Sequence, residues 1–169
     1  MSTTTRTAMA AQAVPRLAGV HHLKLPVSDL DRSRQWYESR LGYKTVIEFR
    51  EQGRLMGLGM EHPDGGPAFA LRLDPERALA AAGFDYFSIG VPDQESIESL
   101  AARLTALGEE HAGVHFATIG WILPMLHDPD GHEVRFYTIQ QHTQPGSDDV
   151  LVVEDAVATA ARREQEHRS

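Results

Sequence analysis

A chain whose second half repeats the order of its first has few folds open to it, because each half must be a unit that pairs with its copy. Residues 22–30 read His-Leu-Lys-Leu-Pro-Val-Ser-Asp-Leu, and residues 86–93 read Tyr-Phe-Ser-Ile-Gly-Val-Pro-Asp. Leu23, Leu25 and Val27 alternate as in a half-buried strand, and so do Phe87, Ile89 and Val91. Each strand ends in an Asp placed to cap a helix. The first helix is expected from about Asp29 to Leu41, with Leu30, Ser33, Trp36, Tyr37 and Leu41 on one side and Gly42 as its stop. The second is expected from about Asp93 to Leu107, with Ile97, Leu100, Leu104 and Leu107 on one side and Gly108 as its stop. The rest repeats too. His62-Pro-Asp-Gly65 matches Asp128-Pro-Asp-Gly131, and each turn leads into a strand, Ala68–Leu73 and Glu133–Ile139. Strand-like Tyr43–Phe49 and Gly120–Leu126 precede the turns, with Pro124 suited to an edge or a bulge. The strand starts lie 64 residues apart (22 to 86) and the turns 66 (63 to 129), and each unit reads β-α-β-β-β.

Composition narrows the chemistry. The 169 residues contain no Cys, which removes disulfides, thiolate metal sites and a cysteine nucleophile. A net charge of −8 argues against a nucleic-acid partner. No apolar run approaches the roughly 20 residues of a membrane helix, and Met1–Pro15 lacks the apolar stretch of a secretory signal, so a cytoplasmic protein without membrane partners is expected. Residues 1–18 read as a flexible tail, and 19–141 as one domain of two modules, about 19–74 and 84–141. In residues 142–169, Val153, Ala156, Val157 and Ala160 fall at helical spacing, which fits either a docking helix or a charged tail. The chain contains no Gly-x-Ser-x-Gly elbow, no P-loop, and no Gly-x-Gly-x-x-Gly after a strand.

The duplicated unit, with His22-Leu-Lys-Leu-Pro-Val-Ser-Asp-Leu-Asp-Arg-Ser33, Trp36-Tyr37, Leu41-Gly-Tyr43 and Asp128-Pro-Asp-Gly-His132, resembles the vicinal oxygen chelate superfamily. That group includes glyoxalase I, extradiol dioxygenases, and fosfomycin- and bleomycin-resistance proteins. The resemblance implies an α+β fold: two tandem βαβββ modules form a curved, cup-shaped, eight-stranded mixed sheet with helices outside and a ligand in the concave face. It also implies a homodimer and, in metal-using members, one divalent ion held by His and Glu side chains from the first and last strands of the units.

Carried across one position at a time, the ligand set breaks down. The first-strand position of unit one is His22, but its counterpart is Tyr86, and the last-strand positions fall on Arg135 and on Phe69 or Ala70. A permanent cation at the place of a carboxylate repels a metal ion, so no metal or other cofactor is expected. The alternative is a shifted site holding one divalent Mn, Fe, Ni or Zn ion with His22 and Glu133, joined through the loop by His127 or His132. Otherwise His127 and His132 read as polar residues of a solvent-facing turn.

Without a metal, the concave face carries His22, Lys24, Tyr86, Ser88, Glu133, Arg135 and Tyr137, with Trp121 as an aromatic wall. This locally basic lining suits a small anionic or oxygen-rich organic ligand. Three readings stand. One is a metal-free binding protein of the resistance type. Another is a metal-free enzyme, with His22 or Glu133 as general base and Arg135 stabilising negative charge. The last is a metal-dependent lyase or dioxygenase using His22 and Glu133. Against all three stands a lining whose members only satisfy one another, as Glu133–Arg135 and His22–Tyr86 pairs.

Overall fold

The structure, a computed structural model, describes residues 19–117 and 119–142. The expected tail at 1–18 and nearly all of the 142–169 segment lie outside these residues.

Strand β1 (Leu23–Val27) leads into helix α1 (Leu30–Leu41). The Asp29 carboxylate accepts from the backbone N–H of Asp31 and Arg32, and Gly42 takes the left-handed conformation (φ 80°) that ends the helix, as its sequence signals require. Strands β2 (Lys44–Glu51), β3 (Arg54–Glu61) and β4 (Phe69–Leu73) complete module one. Helix α2 (Pro75–Ala81) links it to module two, formed by β5 (Ser88–Val91), α3 (Gln94–Ala106), β6 (His115–Phe116), β7 (Trp121–His127) and β8 (Glu133–Thr138). The eight strands fall in two four-stranded sheets of one topology, β1-β4-β3-β2 and β5-β8-β7-β6. In each, the first strand pairs in parallel with the last and the others pair antiparallel.

Three elements escaped the sequence reading. Strand β3 was hidden because Gly57 and Gly59 blank out one face of its alternation. Strand β6 is only two residues long. Helix α2 did carry a signal, Asp74 capping the Arg77 N–H with Pro75 at the first helical position. Pro124 sits where the β7–β8 register slips between Leu123 and Leu126, so the expected bulge is real.

One core serves both modules. Leu25, Val27, Leu58, Met60, Phe69 and Leu71 of the first sheet and Leu123, Leu126, Val134 and Phe136 of the second are buried together with Trp36 and Tyr37 of α1 and Ile97 and Leu104 of α3. The Phe69 and Phe87 rings meet across the modules at 5.1 Å. Polar fastenings join α1 to the C-terminal end of α3, where Arg40 pairs with Glu109 at 2.6 Å and Arg103 donates to the Ser39 carbonyl at 2.8 Å, and run through the Asp128–His132 turn. Asp130 accepts from the Ser28 N–H and hydroxyl, from Arg32 at 2.8 Å and from the Ser33 hydroxyl. The Tyr37 hydroxyl donates to Asp128 at 3.1 Å, and His132 Nε2 donates to the Pro26 carbonyl at 2.8 Å. The reading of His132 as a solvent-facing turn residue is therefore corrected: it is fully buried and joins the modules. Its Nε2 is committed to the backbone of module one, which draws the ring out of the solvent.

Candidate functional site

The face of each sheet turned away from the core is the open one. In module one, register places Lys24 beside Ala70 and Gly59, and Pro26 beside Arg72 and Gly57. Ala70, not Phe69, therefore occupies the last-strand position; Phe69 is buried against Tyr37, Tyr43 and Phe87. Opposite Gly59 and Gly57 stand Ile47 and Phe49, each about half exposed. A Cβ on Gly59 would lie 3.1 Å from Ile47, so the bare strand lets these apolar side chains lie across it. This apolar part of the face was invisible in the sequence for the same reason as β3 itself. Arg72 is ion-paired to Glu51 at 2.8 Å.

On module two, register sets Ser88 beside Arg135, and Gly90 beside Tyr137 and Ile122. Glu133, Arg135 and Tyr137 share the open side, while Val134 and Phe136 are buried, as alternation predicts. Met125, held at φ 63° in the bulge, aims its N–H at Glu133 Oε1 at 3.0 Å. The same oxygen accepts from Arg135 Nη2 at 3.0 Å, and Arg135 Nη1 pairs with Asp85 at 2.9 Å. Burial works to raise the Glu133 pKa, but the Met125 N–H and Arg135 outweigh it and hold the carboxyl below its usual range.

These contacts correct the expected lining at several points. The face around Arg135 is not basic, since Asp85 and Glu133 neutralise the guanidinium; Asp85 had no signal beyond its place before the strand. His22 and Tyr86 do not pair with each other. His22 Nδ1 lies 2.9 Å from His21 Nδ1, and the Tyr86 hydroxyl donates to the Ala81 carbonyl at 3.1 Å. Trp121 is no wall of the cup. Its ring packs edge-on against Phe116 at 5.1 Å and joins the core. Lys24 and Ser88 are exposed and Tyr137 is half-buried, all on open faces.

A divalent ion needs several O or N donors in one array. The four inherited positions hold His22, Tyr86, Ala70 and Arg135. Among the described residues no group of three or more His, Asp or Glu side chains is placed to bind a metal ion. Glu133, needed for a shifted site, already receives the Met125 N–H and Arg135. This donor set does not fit the ion that metal-using relatives hold. Nor is any helix among these residues long and apolar enough to cross a membrane.

Comparison with known proteins agrees with this architecture. Residues 19–136 match the family model of the Glyoxalase/Bleomycin resistance protein/Dioxygenase superfamily. A catechol-2,3-dioxygenase of Bacillus subtilis (strain 168) is 29% identical over 103 residues, 60% of this chain but only 34% of that protein, so the chain spans about a third of its relative. A glyoxylase/bleomycin resistance protein/dioxygenase domain from Frankia sp. EAN1pec superposes with TM-score 0.59 at 25% identity, over 73% of this chain and 93% of that one. TnmS3, an antibiotic binding protein from Streptomyces sp. CB03234, shares the fold with TM-score 0.61 at 17% identity, over 74% of this chain and 98% of its own. Repeat, register and family model converge, and the chain belongs to the Glyoxalase/Bleomycin resistance protein/Dioxygenase superfamily.

Proposed function

We propose that this protein binds a small oxygen-rich or anionic organic molecule on its open sheet faces, without a divalent metal and without turning it over. The observation that carries this reading is the clamp on Arg135. With Asp85 at 2.9 Å and Glu133 at 3.0 Å, the guanidinium is not available to stabilise developing negative charge. Glu133 gives its oxygen to two donors and is held as a weaker base than an ordinary carboxylate, which disfavours it for proton abstraction. What remains free for a ligand is Lys24, with no carboxylate partner among the described residues, the exposed Ser88, Tyr137, and the apolar pair Ile47 and Phe49. That combination holds a molecule by one charge and its flat apolar body.

Calorimetric titration with salicylate as probe tests this. Saturable binding that survives EDTA and weakens about two- to fivefold in Lys24→Ala is expected. Binding abolished by the chelator, or ring cleavage of catechol after loading with iron or manganese, would instead favour the metal-dependent lyase or dioxygenase using His22 and Glu133.

The homodimer belongs to the same proposal. Ile47, Phe49, Tyr86 and Met125 each leave about half their surface in water, and a second copy packed against part of it would bury that apolar area. Sedimentation velocity should show a dimer at micromolar concentration, and Phe49→Glu should shift it toward monomer.

A further inference from the structure

The two turns of the duplication are not bonded alike: the Asp128–His132 turn is tied to module one, whereas the His62–Gly66 turn makes no hydrogen bond to module two among the described residues. The strand-and-helix offset of 64 and turn offset of 66 give each bonding residue a counterpart. Ser28, whose N–H and hydroxyl reach Asp130, corresponds to Pro92, which has neither. Ser33 corresponds to Ile97, and Tyr37, which donates to Asp128, to Ala101. On the turns, Asp130 corresponds to Asp64, and the buried imidazole of His132 to Gly66 or Pro67. The donors Ser28, Ser33 and Tyr37 are thus replaced by groups that cannot donate, the long Arg32 by the short Ser96, and the bulk of Tyr37 and His132 is missing.

What stands there instead is a cavity of about 670 Å³ between the His62–Gly66 turn and β5 and α3 of module two. Its body is apolar, made by Leu41, Ile89, Val91, Leu100, Phe136 and Ile139. The size lies within the ordinary range of small-molecule sites, about 300–1,000 Å³. Its polar groups gather at the turn. Burial pushes the Tyr43 hydroxyl up to about 12, and this proton is committed to the Pro67 carbonyl at 3.1 Å. His62 Nδ1 accepts from the Asp64 N–H. The Asp64 carboxylate, whose counterpart Asp130 is fully engaged, has no hydrogen bond or ion pair among the described residues.

We propose that this cavity is a second binding site, distinct from the open sheet faces, for a compact hydrophobic amine. The apolar body of the ligand occupies the space that Tyr37 and His132 fill on the opposite side. Its ammonium group meets Asp64 at the rim, in the role that Arg32 plays toward Asp130. An anionic ligand finds no cation there.

Three isosteric probes test it on the full chain: 4-phenylbutylamine, 4-phenylbutanol and 4-phenylbutyrate, titrated while amide resonances are followed by NMR. The amine should bind most tightly, with saturable shifts at Gly65, Gly66, Gly90 and Val91. Asp64→Asn should weaken the amine about two- to fivefold, to the level of the alcohol. Val91→Trp should fill the cavity and abolish the response, and Leu100→Trp repeats the test from α3 in case the first variant does not fold. The proposal falls if none of these amides shifts, if the three probes bind alike, or if shifts appear only around Lys24, Ser88 and Tyr137. Because salicylate reports on the open faces, either site can fail without the other.

Discussion

Asp128 is the residue on which the fold and its pH response meet. It is buried at 4% exposure and accepts from the Tyr37 hydroxyl and from the backbone N–H of Asp130 and His132. Burial pushes its carboxyl up, against the opposing pull of His132 and these donors. A carboxyl whose folded pKa stands above its unfolded value of about 3.9 favours the fold at low pH and loses that contribution as pH rises through the folded value. Asp128→Asn keeps the shape and does not titrate. It should therefore gain in stability relative to the native chain as pH rises above about 4, measured as urea midpoints; a difference independent of pH would contradict this. Of the single residues, the Glu133–Arg135 pair was legible in the sequence because strand alternation fixes its side. Asp85 and His132 were not, since what they touch is set by how the modules meet.

At the level of elements, helices α1 and α3 announced themselves through their caps and stripes, and strand β3 did not. Its open face is written in glycine, which has no side chain to alternate. The two glycines are not equivalent. A Cβ on Gly57 would lie 2.8 Å from the Leu71 carbonyl, which belongs to a paired backbone and cannot yield, whereas one on Gly59 meets only the Ile47 side chain at 3.1 Å. Gly57→Ala should cost about 1–3 kcal/mol and Gly59→Ala less than about 1 kcal/mol. Thermal or urea unfolding of the two variants decides it; equal losses would mean that the strand, not the neighbour, sets the tolerance.

For the molecule as a whole, the repeat made the duplicated fold readable, and the family followed from it. What the repeat concealed is its own imperfection, because Pro92, Ile97 and Ala101 look like ordinary variation until their counterparts are seen bonded. Asp130→Ala removes the acceptor of Ser28, Arg32 and Ser33 at once and should destabilise the chain by about 2–3 kcal/mol. Hydrogen exchange should also rise at the amides of 28–33 and 128–132; unchanged protection there would show that the apolar core and the Arg40–Glu109 pair suffice to hold the modules together. The His62–Gly66 turn, without the bonds that seat its counterpart, is therefore the one of the two whose amides should exchange first, a difference in local stability that the shared Pro-Asp-Gly pattern of the turns does not announce.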